Sequence, residues 1–89
     1  MRSLYPVKQM RRAEKILAEM ETNPRGWRYE EVASLLRAFG FQERKGATSH
    51  RQWTHPGVAP VTIIAGGGRV PEYQVRQATQ AIRTSMEEA

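Results

Sequence analysis

His50 stands in the run Gly46-Ala47-Thr48-Ser49-His50-Arg51-Gln52-Trp53-Thr54-His55-Pro56, directly after the basic pair Arg44-Lys45. Imidazole is the side chain whose ordinary titration lies nearest neutrality, so it suits proton transfer to or from a reacting oxygen. Arginine and lysine beside it can hold a phosphodiester by charge and offset the charge that builds up as it is cleaved. The combination describes metal-independent RNA cleavage. In it, His50 acts as general base on a ribose 2′-hydroxyl or as acid toward the leaving oxygen. Arg44, Lys45, Arg51 and Arg69 bind phosphate, with Thr48 and Ser49 at the rim. A need for the 2′-hydroxyl would separate RNA from DNA.

Other chemistries find less support. His50 and His55 lie near no cluster of Asp or Glu, which makes a poor metal site, so neither metal nor cofactor is expected. No paired carboxylates suit glycoside chemistry. Ser49 beside His50 is not a triad, because adjacent strand residues face opposite ways. Cysteine is absent from the sequence, which removes thiolate nucleophiles and disulfides. Gly66-Gly67-Gly68 lacks both the Lys-Ser/Thr of a P-loop and the spacing of a dinucleotide fingerprint, and reads as a strand-to-helix linker. His55-Pro56 reads as a strand end whose imidazole satisfies a turn carbonyl. For His50 the plain alternative is a hydrogen-bonded surface residue on a face that docks RNA without cutting it.

The 89 residues make one domain, 1–89. A chain this short buries only about 60–65% of its unfolded surface, which favours a large ligand on an open face over a small one in a deep cavity. Its 39% hydrophobic and 26% charged content is that of a globular protein. The longest apolar stretch, Val61 to Ala65, falls far short of the ~20 residues needed to cross a bilayer. Met1-Arg2-Ser3-Leu4-Tyr5-Pro6 has no apolar core of the kind that marks a secretion signal. A cytoplasmic location is the expectation. A formal charge of +5 points to nucleic acid, an anionic membrane or an acidic protein. Glu14, Glu19 and Glu21 interrupt the basic residues of the first helix, which argues against a membrane. Nucleic acid is therefore the leading expectation, and the chemistry of His50 makes it RNA.

The elements that must position these groups follow from periodicity. Met10, Ala13, Leu17 and Met20, widened by Ile16, predict a first helix from about Val7 to Thr22, ended by Asn23-Pro24-Arg25-Gly26. A second helix is predicted from about Arg28 to Phe39. It buries Val32, Leu35, Leu36 and Phe39, and sets Glu30 and Glu31 at its positive end. Gly40 closes it in the left-handed conformation, with Phe41 folding back onto Leu36. Three antiparallel strands follow, about Phe41–Lys45, Ser49–His55 and Pro60–Ala65, separated by Gly46 and by Pro56-Gly57. A last helix starts near Pro71 and buries Val75, Ala78, Ile82 and Met86. Helix, helix, strand, strand, strand, helix implies an α+β two-layer domain with the helices on one face of a three-stranded antiparallel sheet.

Alternation then sorts the strand side chains. With Trp53 in the core, Arg51 and His55 lean inward, while His50, Gln52 and Thr54 point out. Phe41 turns in, leaving Gln42 and Arg44 out. His50 and Arg44 share the open face, and Arg51 reaches solvent only by snorkelling past the strand edge. Val61, Ile63 and Ala65 face the core, which turns Ile64 out beside Thr62 as an ordinary exposed side chain or an anchor for a protein partner.

These pieces resemble the HicA family of toxin–antitoxin ribonucleases, in the longer form with an extra N-terminal helix (residues 1–22). The matching residues are Asn23-Pro24, Trp27, Val32, Leu35-Leu36, Phe39-Gly40-Phe41, Thr48-Ser49-His50, Trp53, His55-Pro56 and Val61-Thr62-Ile63. Pro71, Tyr73-Gln74-Val75-Arg76-Gln77 and Ile82 complete the set, which covers roughly residues 13–83. The resemblance implies a double-stranded-RNA-binding-domain-like fold. It also implies an mRNA interferase, the toxin of a type II module, that halts growth until a HicB-type antitoxin masks it. His50 matches the histidine of the family's Gly-Ser-His type motif. Ala47 and Thr48 depart from the usual glycine and serine, which predicts a stiffer turn. Ala65 to Gly68 replace a proline and basic residues, which predicts a weaker phosphate grip. RNA specificity, ribosome dependence and oligomeric state stay open. Two rival readings stand beside the nuclease: a non-catalytic RNA-binding module, and an assembly protein that uses the open face and first helix.

Overall fold

Every element except the first strand places at least one side chain wholly out of solvent, among them Leu17, Leu36, Trp53, Ile63 and Ile82. The computed structural model describes residues 7–46 and 48–88; Met1 to Pro6, Ala47 and Ala89 lie outside the described residues. The elements are α1 (Val7–Thr22), α2 (Tyr29–Ala38), β1 (Gln42–Lys45), β2 (His50–His55), β3 (Val58–Ile64) and α3 (Glu72–Glu88). The strands form one antiparallel sheet in the order β1-β2-β3. This is the α+β two-layer arrangement that the periodicity predicts.

The helices pack on one another, and α3 lies along β3. Ala13, Leu17 and Met20 of α1 meet Val32, Leu35 and Leu36 of α2 and Val75, Ala78 and Ile82 of α3 in one core. Trp53, Val61 and Ile63 supply the sheet's share of it, while Gln52 and Thr62 on the opposite face are exposed. Burying side chains of this size stabilises by about 1.5–3 kcal/mol each, so the inward strand positions fix the register.

Local chemistry sets the boundaries. Arg28 precedes α2 in extended conformation, and the Glu31 carboxylate accepts its N–H at 2.8 Å. This is half a capping box, because arginine has no acceptor to return the bond. At the other end Gly40 takes φ 88°. Its N–H bonds Arg37 O, and the Phe41 N–H bonds Leu36 O, both at 3.0 Å, which is the Schellman closure expected there. Because the Phe41 amide is taken by the helix, β1 begins one residue later than predicted. Gly57 at φ 78° makes the second hairpin tight enough for β3 to start at Val58 rather than Pro60. Pro60 is tolerated because β3 is an edge strand with a register irregularity between Trp53 and His55.

Met86 corrects an expectation: it is 37% exposed. Ser85 takes the inward position in that last turn and donates to Ile82 O at 2.6 Å. Among the described residues no helix is long and apolar enough to cross a membrane.

Gly40→Ala should lower stability by about 1–2 kcal/mol, the strain of a left-handed L-residue. A Cβ there would make only ordinary contact with His55, at 3.5 Å. Urea unfolding should show a lower midpoint at an unchanged slope.

Candidate nucleic-acid interface

The register aligns Arg44, Gln52 and Thr62 in a row across the sheet, pairs Gln42 with Thr54, and pairs His50 with Ile64. Gln42, Arg44, His50, Gln52 and Thr62 are exposed, while Thr54 and Ile64 are half-buried. His50 and Arg44 therefore share the open face, as alternation predicts. His50 opens β2, so it stands at one end of that face.

The turn before it is shaped for this placement. The Gly46 N–H bonds His50 O at 3.0 Å, and a Cβ on Gly46 would come within 3.2 Å of the same oxygen, so the approach favours glycine. Thr48 adopts φ 59°, the left-handed region that β-branched residues avoid. In that conformation its Oγ1 lies 3.3 Å from His50 Nδ1. The hydroxyl orients the ring and leaves Nε2 without a hydrogen-bond partner among the described residues.

Arg51, expected among the phosphate-binding residues, is engaged within the protein. Facing the core side, it donates from Nη1 to Thr48 O at 3.0 Å and to His50 O at 3.1 Å. Its Nε lies 3.8 Å from the Glu43 carboxylate. Glu43 in turn accepts from the Tyr29 hydroxyl and from Arg37 Nη2 at 3.3 Å. The Arg37 guanidinium also sits 5.1 Å from the Trp53 ring centroid, a cation–π distance. Arg51 thus braces the backbone that carries Thr48 and His50. The Tyr29 hydrogen bond, helped by Arg37 and Arg51, holds the Glu43 carboxyl below its ordinary range despite burial. Burial first, then the carboxylate, pushes the Tyr29 phenol up.

The remaining candidates divide. Arg44 is exposed and forms no ion pair with other described residues. Lys45 is exposed but pairs with Arg51 in the register, on the core side. The Ser49 carbonyl accepts the Ala65 N–H at 2.7 Å, tying the end of β3 to the turn. Arg69 is exposed and its backbone bridges Arg28, outside the three strands. Ala47 lies outside the described residues. His55 sits at the far end of β2. Its Nδ1–H donates to Pro56 O at 2.9 Å and its ring packs 4.9 Å from Phe41, so it is structural, as the strand-end reading has it.

Two features escape sequence reasoning. Strand parity turns Glu43 inward beside Trp53, a signal that an acid there needs partners, but parity does not name Tyr29 and Arg37. Nor are the cations confined to the sheet: Lys8, Arg11, Arg12 and Lys15 are exposed at helical spacing on one face of α1. A cleft of about 600 Å³ lies between α1 and α2, lined by Ile16, Glu30 and Arg37 among others, and includes no residue of the open sheet face.

Comparison with family models, curated proteins and solved structures finds no match to this chain.

Glu43 gives a signed pH dependence. Its folded-state pKa is depressed, so its contribution is complete above the ordinary carboxylate value of 4.5 and is lost as pH falls through the lower folded value. Glu43→Gln should therefore unfold at lower urea than the parent near neutrality, with the gap narrowing below that value.

Proposed function

We propose that this chain is a metal-independent endoribonuclease of the HicA kind, cutting mRNA with His50. The observation that carries the reading is His50 on the exposed sheet face, ring oriented by Thr48, with the unpaired Arg44 on the same surface. Nε2 takes the proton of a ribose 2′-hydroxyl as that oxygen attacks phosphorus. The P–O bond to the next ribose breaks, and the leaving oxygen regains a proton from the imidazolium or from water. Arg44, with Lys45 and Arg69 at the margin, binds the phosphate and offsets charge in the transition state. The open face suits a polymer better than an enclosed small molecule. A cytoplasmic location and a HicB-type antitoxin covering this face, with Ile64 as an apolar contact, belong to the same proposal.

One observation favours a second reading, a non-catalytic RNA-binding module. Among the described residues His50 is the only histidine or carboxylate on the open face, so no second side chain is poised to share the proton transfer. Cleavage decides between the two. His50→Ala should retain RNA binding and lose about 10²- to 10⁴-fold in cutting rate. Equal cutting by parent and variant in chelator would refute the assignment, and no cutting by the parent would leave the binding module.

Salt dependence separates the arginines. Arg44→Gln should reduce the slope of log affinity against log salt by about one, the signature of a lost phosphate contact. Arg51→Gln should leave that slope unchanged while slowing cleavage, because it releases the brace on the His50 turn.

A further inference from the structure

The run Gly66-Gly67-Gly68 links β3 to α3, but nothing within the fold requires glycine there. None of the three lies in the left-handed region. A Cβ on Gly67 or Gly68 would meet nothing within 4 Å, and one on Gly66 would make only ordinary contact with Ile64 Cγ2 at 3.9 Å. Glycine loses more conformational freedom on folding than any other residue, so a run required by neither backbone nor packing costs stability. What it provides is bare backbone that another molecule can approach closely.

Tyr73 is tied, through Gln74, to Ile64, two residues before this run. It is 60% exposed, the most of any large hydrophobic residue described, yet it is held in place. Gln74 Nε2 donates to the Tyr73 hydroxyl at 3.2 Å, and Gln74 Oε1 accepts the Ile64 N–H at 3.1 Å. Gln74 is itself only 3% exposed, so a buried amide uses both its ends to fasten an exposed aromatic to the outer edge of β3. Ile64 is the cross-strand partner of His50. One strand spacing and two hydrogen bonds put the tyrosine hydroxyl on the order of 10 Å from the His50 backbone.

We propose that Tyr73 and the backbone of Gly66 to Gly68 form a subsite for one unpaired RNA nucleotide flanking the position of His50. The base stacks on the Tyr73 ring, the sugar–phosphate runs against the glycine backbone, and Arg69 supplies charge at its margin. This rests on the reading of the sheet face as an RNA interface and names the substrate as single-stranded. A base inside a duplex is already stacked and paired, so it cannot use the ring. The excess of positive charge and the absence of side chains along the approach both suit a polyanion whose backbone comes close.

The test is fluorescence anisotropy with labelled single-stranded and duplex RNA of matched sequence, in the His50→Ala background so that nothing is cut. Tyr73→Leu should weaken single-strand binding about tenfold, the value of one stacked base, and leave duplex binding unchanged. Tyr73→Phe should bind like its parent. Gly67→Leu, whose Cβ meets nothing within 4 Å, should keep the parent's melting temperature and still lose single-strand affinity. Undiminished binding by Tyr73→Leu, or equal loss on both RNAs, overturns the subsite, as does a change in oligomeric state with RNA binding intact. If the wild-type chain cuts RNA while Tyr73→Leu binds normally, the subsite falls and the nuclease stands. If Tyr73-dependent binding occurs but the wild-type chain cuts nothing, the nuclease falls and the subsite stands. Binding of neither RNA removes both.

Discussion

The Glu43 carboxylate joins the two layers of this protein. It sits on the inward side of β1, where an apolar residue would ordinarily be, and it is held there by Tyr29, Arg37 and Arg51. Tyr29 begins α2 and Arg37 lies in its last turn, so one carboxylate ties both ends of that helix to the first strand. Such an arrangement holds best while the set is complete, since a charge deprived of its partners costs stability, though in a half-buried site less than the about 3–5 kcal/mol of a fully buried pair. Arg51 then extends the set to the carbonyls of Thr48 and His50. The orientation of an exposed imidazole is in this way governed from the helical side of the sheet.

That dependence accounts for a turn that would otherwise be unfavourable. A threonine in left-handed conformation carries a strain of about 1–3 kcal/mol, and it persists where the surroundings over-determine it. Here the Gly46 amide, the Arg51 guanidinium and the Ser49–Ala65 bond all act on the same few peptide units.

Much of this was legible from residue types. Three apolar stripes at helical spacing located the helices, and Gly40 marked a closure whose two hydrogen bonds are both made. Parity around Trp53 sorted Arg44 and His50 onto one face and Arg51 and His55 onto the other. Parity fails at partners, because it gives the side of a sheet and not what lies opposite. For that reason the residue types do not disclose that Arg51 also bonds the carbonyls of Thr48 and His50, nor what Glu43 meets. Met86 fits the spacing of the α3 stripe, yet spacing alone does not reveal that Ser85 fills the inward place at that turn. The glycine run reads as a strand-to-helix linker and does join β3 to α3; only the fold shows that the space beside Gly67 and Gly68 is empty.

The outer margin of β3 carries one more consequence. Pro60 brings no amide to that margin, and Gln74 has already taken the amide of Ile64. An incoming strand would find donors missing at both places, so ladder-like growth from this side is disfavoured. An exposed three-stranded sheet is ordinarily at risk of zipping onto its neighbours. On this side, at least, such lateral pairing is discouraged.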